Sequence, residues 1–341
     1  MFKDNTVFVV GAGASAEFGL PIGWDLLRTI KRNCTFERDA FGQVTGGPAR
    51  IFEHYDEVIG RASQPQLDKF YLRLKACTQI ASGIESADSI DEYIYRYAHE
   101  PIIAEVGKLQ ITNAISTAEN SSSMNDGFRL SPESLDETWI WAFTKALISG
   151  VRADQVDEIG QNITIICFNY DRCIEHYLEN ALTRSFYGLT QLEARAIVER
   201  INIIHPYGWL GSLEEFPFGG TANFGKMAGN IITWSESIQD FEIVTKMRKS
   251  IREARQIAFL GFGFAAQNME LLNSQPIDTP IYFPNVYSTG FGLVREIEET
   301  LKANISALVS RHIGYRFDQI HFQYGEKCKN LMDIHRMNLV K

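Results

Sequence analysis

The chain is poor in cysteine, in excess positive charge and in long apolar runs, and each shortage narrows what it can do. Its five cysteines (Cys34, Cys77, Cys167, Cys173 and Cys328) form no Cys-x-x-Cys pair. An odd, scattered set of this kind fits reduced thiols and argues against a disulfide framework or a zinc ribbon. Cys173 stands two residues after Asp171, but no local motif pairs it with a base, so it reads as an inert helix thiol. The formal net charge of −9 argues against a main role on nucleic acid or an anionic membrane, both of which need a basic surface. No apolar stretch approaches bilayer-spanning length. A strand signal at Thr6 leaves no room for a signal peptide, so the expected location is the cytoplasm. The histidines other than His205 fit no metal spacing such as His-x-x-x-His beside an acid. Internal repeats and low-complexity segments are lacking as well.

What remains is an ordinary globular composition, 45% hydrophobic and 22% charged, with one recurring pattern. Four short apolar runs each stop at a polar, turn-prone motif. Val7-Phe8-Val9-Val10 ends at Gly11-Ala12-Gly13-Ala14-Ser15, and Ile163 to Phe168 ends at Asn169-Tyr170-Asp171. Ile201-Asn202-Ile203-Ile204 ends at His205-Pro206-Tyr207-Gly208, and Ile257-Ala258-Phe259-Leu260 ends at Gly261-Phe262-Gly263-Phe264. Unbroken β-branched runs suit strands covered on both faces by helices. The expected fold is therefore α/β, a Rossmann-like parallel sheet flanked by helices, with a mostly helical insertion after the first strand. In such sheets ligands bind beyond the carboxyl ends of the strands, where the strand order reverses. The four motifs are expected to meet there.

The expected domain plan places residues 1–30 and 160–310 in the Rossmann-like domain and 31–159 in the helical insertion. Residues 311–341 form a C-terminal segment whose alternating aromatics fit either an assembly surface or an edge strand. Further expected elements are a strand over 281–286 and helices over 172–184, 191–200 and 293–309. Ser89 and Glu92 form a capping box, and Thr233 and Glu236 a second one opening a helix through Ile238, Phe241, Val244, Met247 and Ile251. The Ser-rich stretch 113–137 reads as a mobile loop or flap, and 216–230 as a Gly/Phe-rich loop.

Gly11-Ala12-Gly13-Ala14-Ser15-Ala16 fits a Gly-x-Gly-x-x-Gly/Ala phosphate turn, whose glycines admit a pyrophosphate to backbone N–H groups. The alternative is a plain tight turn. A hydride-transfer Rossmann unit needs a second strand ending in an acid about 20 residues on, and residues 28–33 do not read as one. Asn169 and Asp171 are placed to read ribose hydroxyls and a carboxamide, though Asp171 also suits a helix cap. His205 shares the same sheet edge. The phenylalanines of Gly261-Phe262-Gly263-Phe264 fit either the flanks of an adenine or the core.

In this order the motifs resemble the sirtuin-like NAD-consuming domains of bacterial anti-phage defence, over roughly residues 5–290. Gly11-Ala12-Gly13-Ala14-Ser15 with Gly19-Leu20-Pro21 is similar to that family's NAD-phosphate loop. Phe168-Asn169-Tyr170-Asp171 is similar to its Asn-x-Asp motif, and His205 falls where its catalytic histidine ends a strand. Leu260 to Phe264 with Asn268 resembles the strand end near the adenosine ribose, and Ser89 to Tyr93 resembles a helix start common in these proteins. Three departures stand out. Pro206 and Tyr207 separate the histidine from glycine, Ile22-Gly23-Trp24-Asp25 replaces the deacylase Asp-Phe-Arg, and no zinc-binding cysteine quartet follows His205.

The resemblance implies hydrolysis of NAD to nicotinamide and ADP-ribose without zinc, with Asn169, His205 and Asp171 catalytic. The cofactor-binding positions it implies are Gly11, Ala12, Gly13, Ala14, Ser15, Leu20, Pro21, Gly261, Phe262, Gly263 and Phe264. His205 is expected as general base, Asn169 as the group that positions ribose or water, and Asp171 as the partner of the carboxamide. It also implies a homo-oligomeric effector that works with a separately encoded partner such as a translocase-type ATPase. The alternatives are an NAD-dependent deacylase or ADP-ribosyltransferase, a dehydrogenase, and a non-enzymatic NAD or ADP-ribose sensor.

Overall fold

The computed structural model describes residues 1–37, 40, 45–56, 63–125, 135–220, 223–273, 283–310 and 316–341. They fall into two compact units. A sheet unit comprises Met1–Gly19, Ser122–Pro206 and Ile238–Lys341, and a helical unit comprises Leu20–Ser121 and Tyr207–Ser237.

The sheet unit holds six strands: β1 (Thr6–Val10), β2 (Ile163–Cys167), β3 (Asn202–Ile204), β4 (Gln256–Leu260), β5 (Asn285–Gly290) and β6 (Ile320–Tyr324). Their order is β3-β2-β1-β4-β5-β6, and every pairing is parallel. With its flanking helices this is a Rossmann-like α/β fold. Every residue of β1 and β4 is buried, which explains why their sequences show no alternation: neither face of a central strand meets water. The strand order reverses between β1 and β4, the position at which such sheets open a crevice. Val10 is level with Cys167 of β2 on one side and with Leu260 of β4 on the other. The turns that follow these three strands therefore begin at one height.

The helical unit is built from Gly23–Asn33, Ala49–Asp56, Gln64–Gly83, Ile90–Arg96 and Pro101–Ser121, with the short helices Phe224–Gly229 and Trp234–Ser237. Ser89 caps Ile90–Arg96 by accepting the Glu92 N–H at 3.0 Å, and the Glu92 carboxylate accepts from Asp88 rather than from Ser89.

The structure redraws several sequence expectations. Residues 135–159 belong with the sheet, not with the insertion. Phe143 of helix Trp139–Ile148 packs 5.0 Å from both Phe2 and Phe8 of the sheet unit, ring centroid to centroid. Residues 207–237, expected in the Rossmann-like domain, fall in the helical unit. The fifth strand begins at Asn285, because Pro284 has no N–H to give a ladder; Ile281 and Tyr282 lie outside the described residues. The 293–309 helix starts at Glu298, after a single 3-10 turn over Arg295–Ile297.

Residues 113–121 are not loop but the end of the 21-residue helix Pro101–Ser121. Asn113, Ser116 and Glu119 are buried, and two of their side chains are paired across chain-distant elements: Arg50 Nε donates to Asn113 Oδ1, and Glu119 accepts the Gly219 N–H at 3.1 Å. Residues 126–134 of that stretch lie outside the described residues. The helix expected from Thr233 breaks after Ser237 and restarts at Phe241, where Asp240 caps Ile243 at 3.0 Å; Phe241 itself is exposed. The C-terminal segment supplies edge strand β6 and helix Cys328–Leu339 to the sheet unit. Among the described residues no helix is long and apolar enough to cross a membrane.

Candidate functional site

The glycine turn after β1 is shaped by its neighbour. Gly11 N–H donates to Leu260 O at 2.9 Å, and Gly13 N–H donates to Gly261 O at 3.0 Å. A Cβ on Gly11 would stand 2.7 Å from Gly261 O, and one on Gly13 would stand 2.9 Å from Gly261 Cα. Gly261 is itself left-handed, at φ +58, where a Cβ would meet Ala14 N at 2.1 Å. These glycines thus let the turns of β1 and β4 lie backbone against backbone, and that contact occupies two N–H groups the sequence reading gave to a pyrophosphate. Ala14 N–H is also engaged, by Gly11 O at 2.9 Å. The helix that follows has only four residues, Ala12–Ser15, so little macrodipole is available. Trp139 steadies the turn by donating Nε1–H to Ala14 O at 3.0 Å. Glu17, just beyond, accepts the backbone N–H of Trp139 at 2.8 Å and of Lys329 at 3.1 Å, joining two helix starts to this turn.

Beside the turn, Asn169, Ser15 and Asp171 form a buried chain of hydrogen bonds. Asn169 Nδ2 donates to Gly11 O at 3.1 Å and to Ser15 Oγ at 2.8 Å. A carbonyl only accepts, so Gly11 O fixes the amide orientation. Both amide hydrogens are committed, which leaves the carbonyl end, Oδ1, as the acceptor Asn169 can offer a ligand. Ser15 in turn bonds the Asp171 carboxylate, which also accepts the N–H of Cys173, the first residue of the helix Cys173–Ser185, at 3.1 Å. Burial pushes the Asp171 carboxyl above its usual value; the Ser15 and Cys173 bonds oppose that push, and Glu175 adds to it. Asp171 thus holds the first helical N–H from one position before the N-cap, which is Arg172.

His205, at the end of β3, lies against the same group. Its Nδ1 faces the Asn169 backbone carbonyl at 3.4 Å, and its Nε2 lies 2.9 Å from Glu175 Oε1. The Cys167 sulfur, at the end of β2, is a further hydrogen-bond partner of the ring. The two side chains of the His205–Glu175 pair are 10% and 8% exposed, respectively. Burial, the largest single influence, disfavours a charged imidazole, but Glu175 and Cys167 together hold His205 well above the ordinary histidine value. Burial keeps the Cys167 thiol protonated, raised above its usual value despite the pull of His205. The acceptors at both ring nitrogens favour the protonated imidazole, and only its neutral form can act as a base.

Of the positions singled out in the sequence, Gly11, Gly13, Ser15, Asn169, Asp171, His205 and Gly261 come together at one edge of the sheet. Ala12 and Ala14 lie in the same turn. Phe262 and Phe264 are buried and pack into an aromatic cluster: Phe262 is 5.3 Å from Phe168, and Phe264 is 5.1 Å from Phe259. Both rings pack as core. Phe264 nonetheless holds a left-handed φ of +56, uncommon for a bulky residue. Gly263 is exposed with open space around its Cα. Leu20 and Pro21 belong to the helical unit. Sequence reasoning missed Glu175. Its signal was an acid four residues after Asp171, which in a first helical turn is indistinguishable from one that complements the helix dipole.

Comparison of the chain with protein-family models, with curated proteins and with solved structures gave no match. Among the described residues no group of three or more His, Cys, Asp or Glu side chains is placed to hold a metal ion.

Proposed function

We propose that the sheet-edge site binds NAD and hydrolyses its nicotinamide–ribose bond. The observation that carries this reading is the convergence at the carboxyl edge of the sheet: Asn169, anchored through Ser15 and Gly11, stands with His205 against its own carbonyl. The nicotinamide of NAD is a cationic leaving group, so its expulsion needs no general acid. The C1′–N1 bond breaks and its electron pair stays on nicotinamide. Water adds to C1′ and gives up one proton. The site must stabilise an oxocarbenium-like sugar and place that water, in analogy with glycoside hydrolysis. Asn169 Oδ1 supplies an acceptor dipole for a ribose hydroxyl or the water. The proton acceptor is the His205–Glu175 pair in its deprotonated form, a contribution of about 10²–10⁴ in rate.

Asp171 is assigned here to holding Ser15 and the helix start rather than to the carboxamide. The antiviral setting, the homo-oligomer and the separately encoded partner rest on the family resemblance alone.

A second reading, a module that binds NAD or ADP-ribose without turnover, is favoured by one observation: both ring nitrogens of His205 already face protein partners. Incubation of the pure protein with NAD, followed by chromatography and calorimetric titration, separates the two. Hydrolysis releases nicotinamide and ADP-ribose, and Asn169→Ala and His205→Ala each remove most of it while leaving the fold intact. Binding without product supports the module. A protein that neither binds nor consumes NAD, or a folded His205→Ala variant as active as the parent, overturns the hydrolase reading.

A further inference from the structure

We propose that Glu175 is the positioning residue of this site, fixing the His205 ring so that Nε2 stays protonated and Nδ1 alone exchanges a proton with a ligand. The inference deepens the hydrolase reading and takes its ligand from it, but the contact itself stands on geometry. Glu175 lies in the first turn of the helix whose first N–H Asp171 accepts, and Asp171 in turn belongs to the Ser15–Asn169 chain. One set of bonds therefore locates both Asn169 and the carboxylate that faces His205.

The second oxygen of Glu175, Oε2, is buried and has no hydrogen-bond partner among the described residues. A buried carboxylate is costly unless paired, and His205 is the partner at 2.9 Å that Oε1 has. That contact requires hydrogen on Nε2, because a carboxylate only accepts. The opposite nitrogen, Nδ1, then faces the Asn169 backbone carbonyl at 3.4 Å. Other titratable groups near the ring are Cys167, held as a thiol, and Asp171, which acts on Cys167 from the turn.

The arrangement makes two statements that a merely structural glutamate would not. The carboxylate charge, not only its acceptor oxygen, sets how tightly His205 holds its proton. Neutral His205 exists as the Nε2–H tautomer.

The test is nitrogen-15 imidazole NMR on the full chain without nucleotide, across a pH titration, for the parent, Glu175→Gln and Glu175→Ala. The parent should titrate above an ordinary histidine and give the Nε2–H form on deprotonation. Glu175→Gln keeps an acceptor but loses the charge, so its titration should fall by at least about one pH unit, a roughly tenfold loss of proton affinity, with the tautomer retained. Glu175→Ala should lose the tautomer preference too. The acid limb of kcat for NAD hydrolysis should move with the Glu175→Gln titration while KM holds. An unshifted titration in folded Glu175→Gln, or an Nδ1–H tautomer in the parent, overturns the proposal. The parent spectrum decides the tautomer even if a variant fails to fold. If the titrations behave as expected and NAD is untouched, the pairing stands and the hydrolase reading falls.

Discussion

Ser15→Ala removes one oxygen and breaks the chain that holds the site together. Ser15 Oγ accepts from Asn169 Nδ2 at 2.8 Å and bonds the Asp171 carboxylate, with all three residues buried. A neutral hydrogen bond is worth about 0.5–1.5 kcal/mol and one to a charged group about 1.5–3, so the loss should be roughly 2–4 kcal/mol. The figure depends on pH in a definite direction. Ser15 lowers the Asp171 pKa, so its bond favours the ionised carboxylate. The cost of Ser15→Ala should shrink as acid protonates Asp171. Urea unfolding followed by hydrogen exchange in peptides from β1 and β2 reports the sheet unit alone. In a double-mutant cycle with Asp171→Asn, the coupling should reach about 1 kcal/mol. A Ser15→Ala cost below about 0.5 kcal/mol at neutral pH, or strict additivity with Asp171→Asn, would refute the bridge.

Two further outcomes are expected. Gly261→Ala puts a Cβ 2.1 Å from Ala14 N at φ +58 and should cost more than about 3 kcal/mol, whereas exposed Gly263→Ala should stay within about 0.5; equal thermal shifts for the two would discredit the turn-on-turn packing. Burial lowers His176 to about 4, below the unfolded histidine value of about 6.5, so the unfolded chain takes up the proton first and stability falls as pH drops through that window. The full loss is about 3 kcal/mol, and urea midpoints for the parent and His176→Gln, compared at pH 7 and pH 4.5, should show the variant losing less.

Much of this was legible along the chain because it depends on neighbours in sequence. β-Branched runs such as Val7 to Val10 cannot alternate polar and apolar if both faces are covered, so they announced a parallel sheet. Ser89 stands at a helix start that its short polar side chain caps directly, and Asp171 holds the first N–H of another helix. The motifs at the ends of β1, β2, β3 and β4 had to share an edge once those strands were parallel. Composition misled where polar groups were paired inside, as at Asn113 and Glu119, because burial of a satisfied polar side chain leaves no mark in a hydropathy pattern.

The sequence by itself determined the strands, their parallel sense and the residues that close them, since these follow from local backbone preference and apolar periodicity. Only the tertiary structure decided what those residues do. Ser15 meets Asn169 across 154 positions and Glu175 meets His205 across 30, and no local rule specifies such partners. The same folding placed the Gly13 N–H on Gly261 O and set the His205 ring between the Asn169 carbonyl and the Glu175 carboxylate. Bringing chain-distant charges and donors within 3 Å of one another is the work of packing.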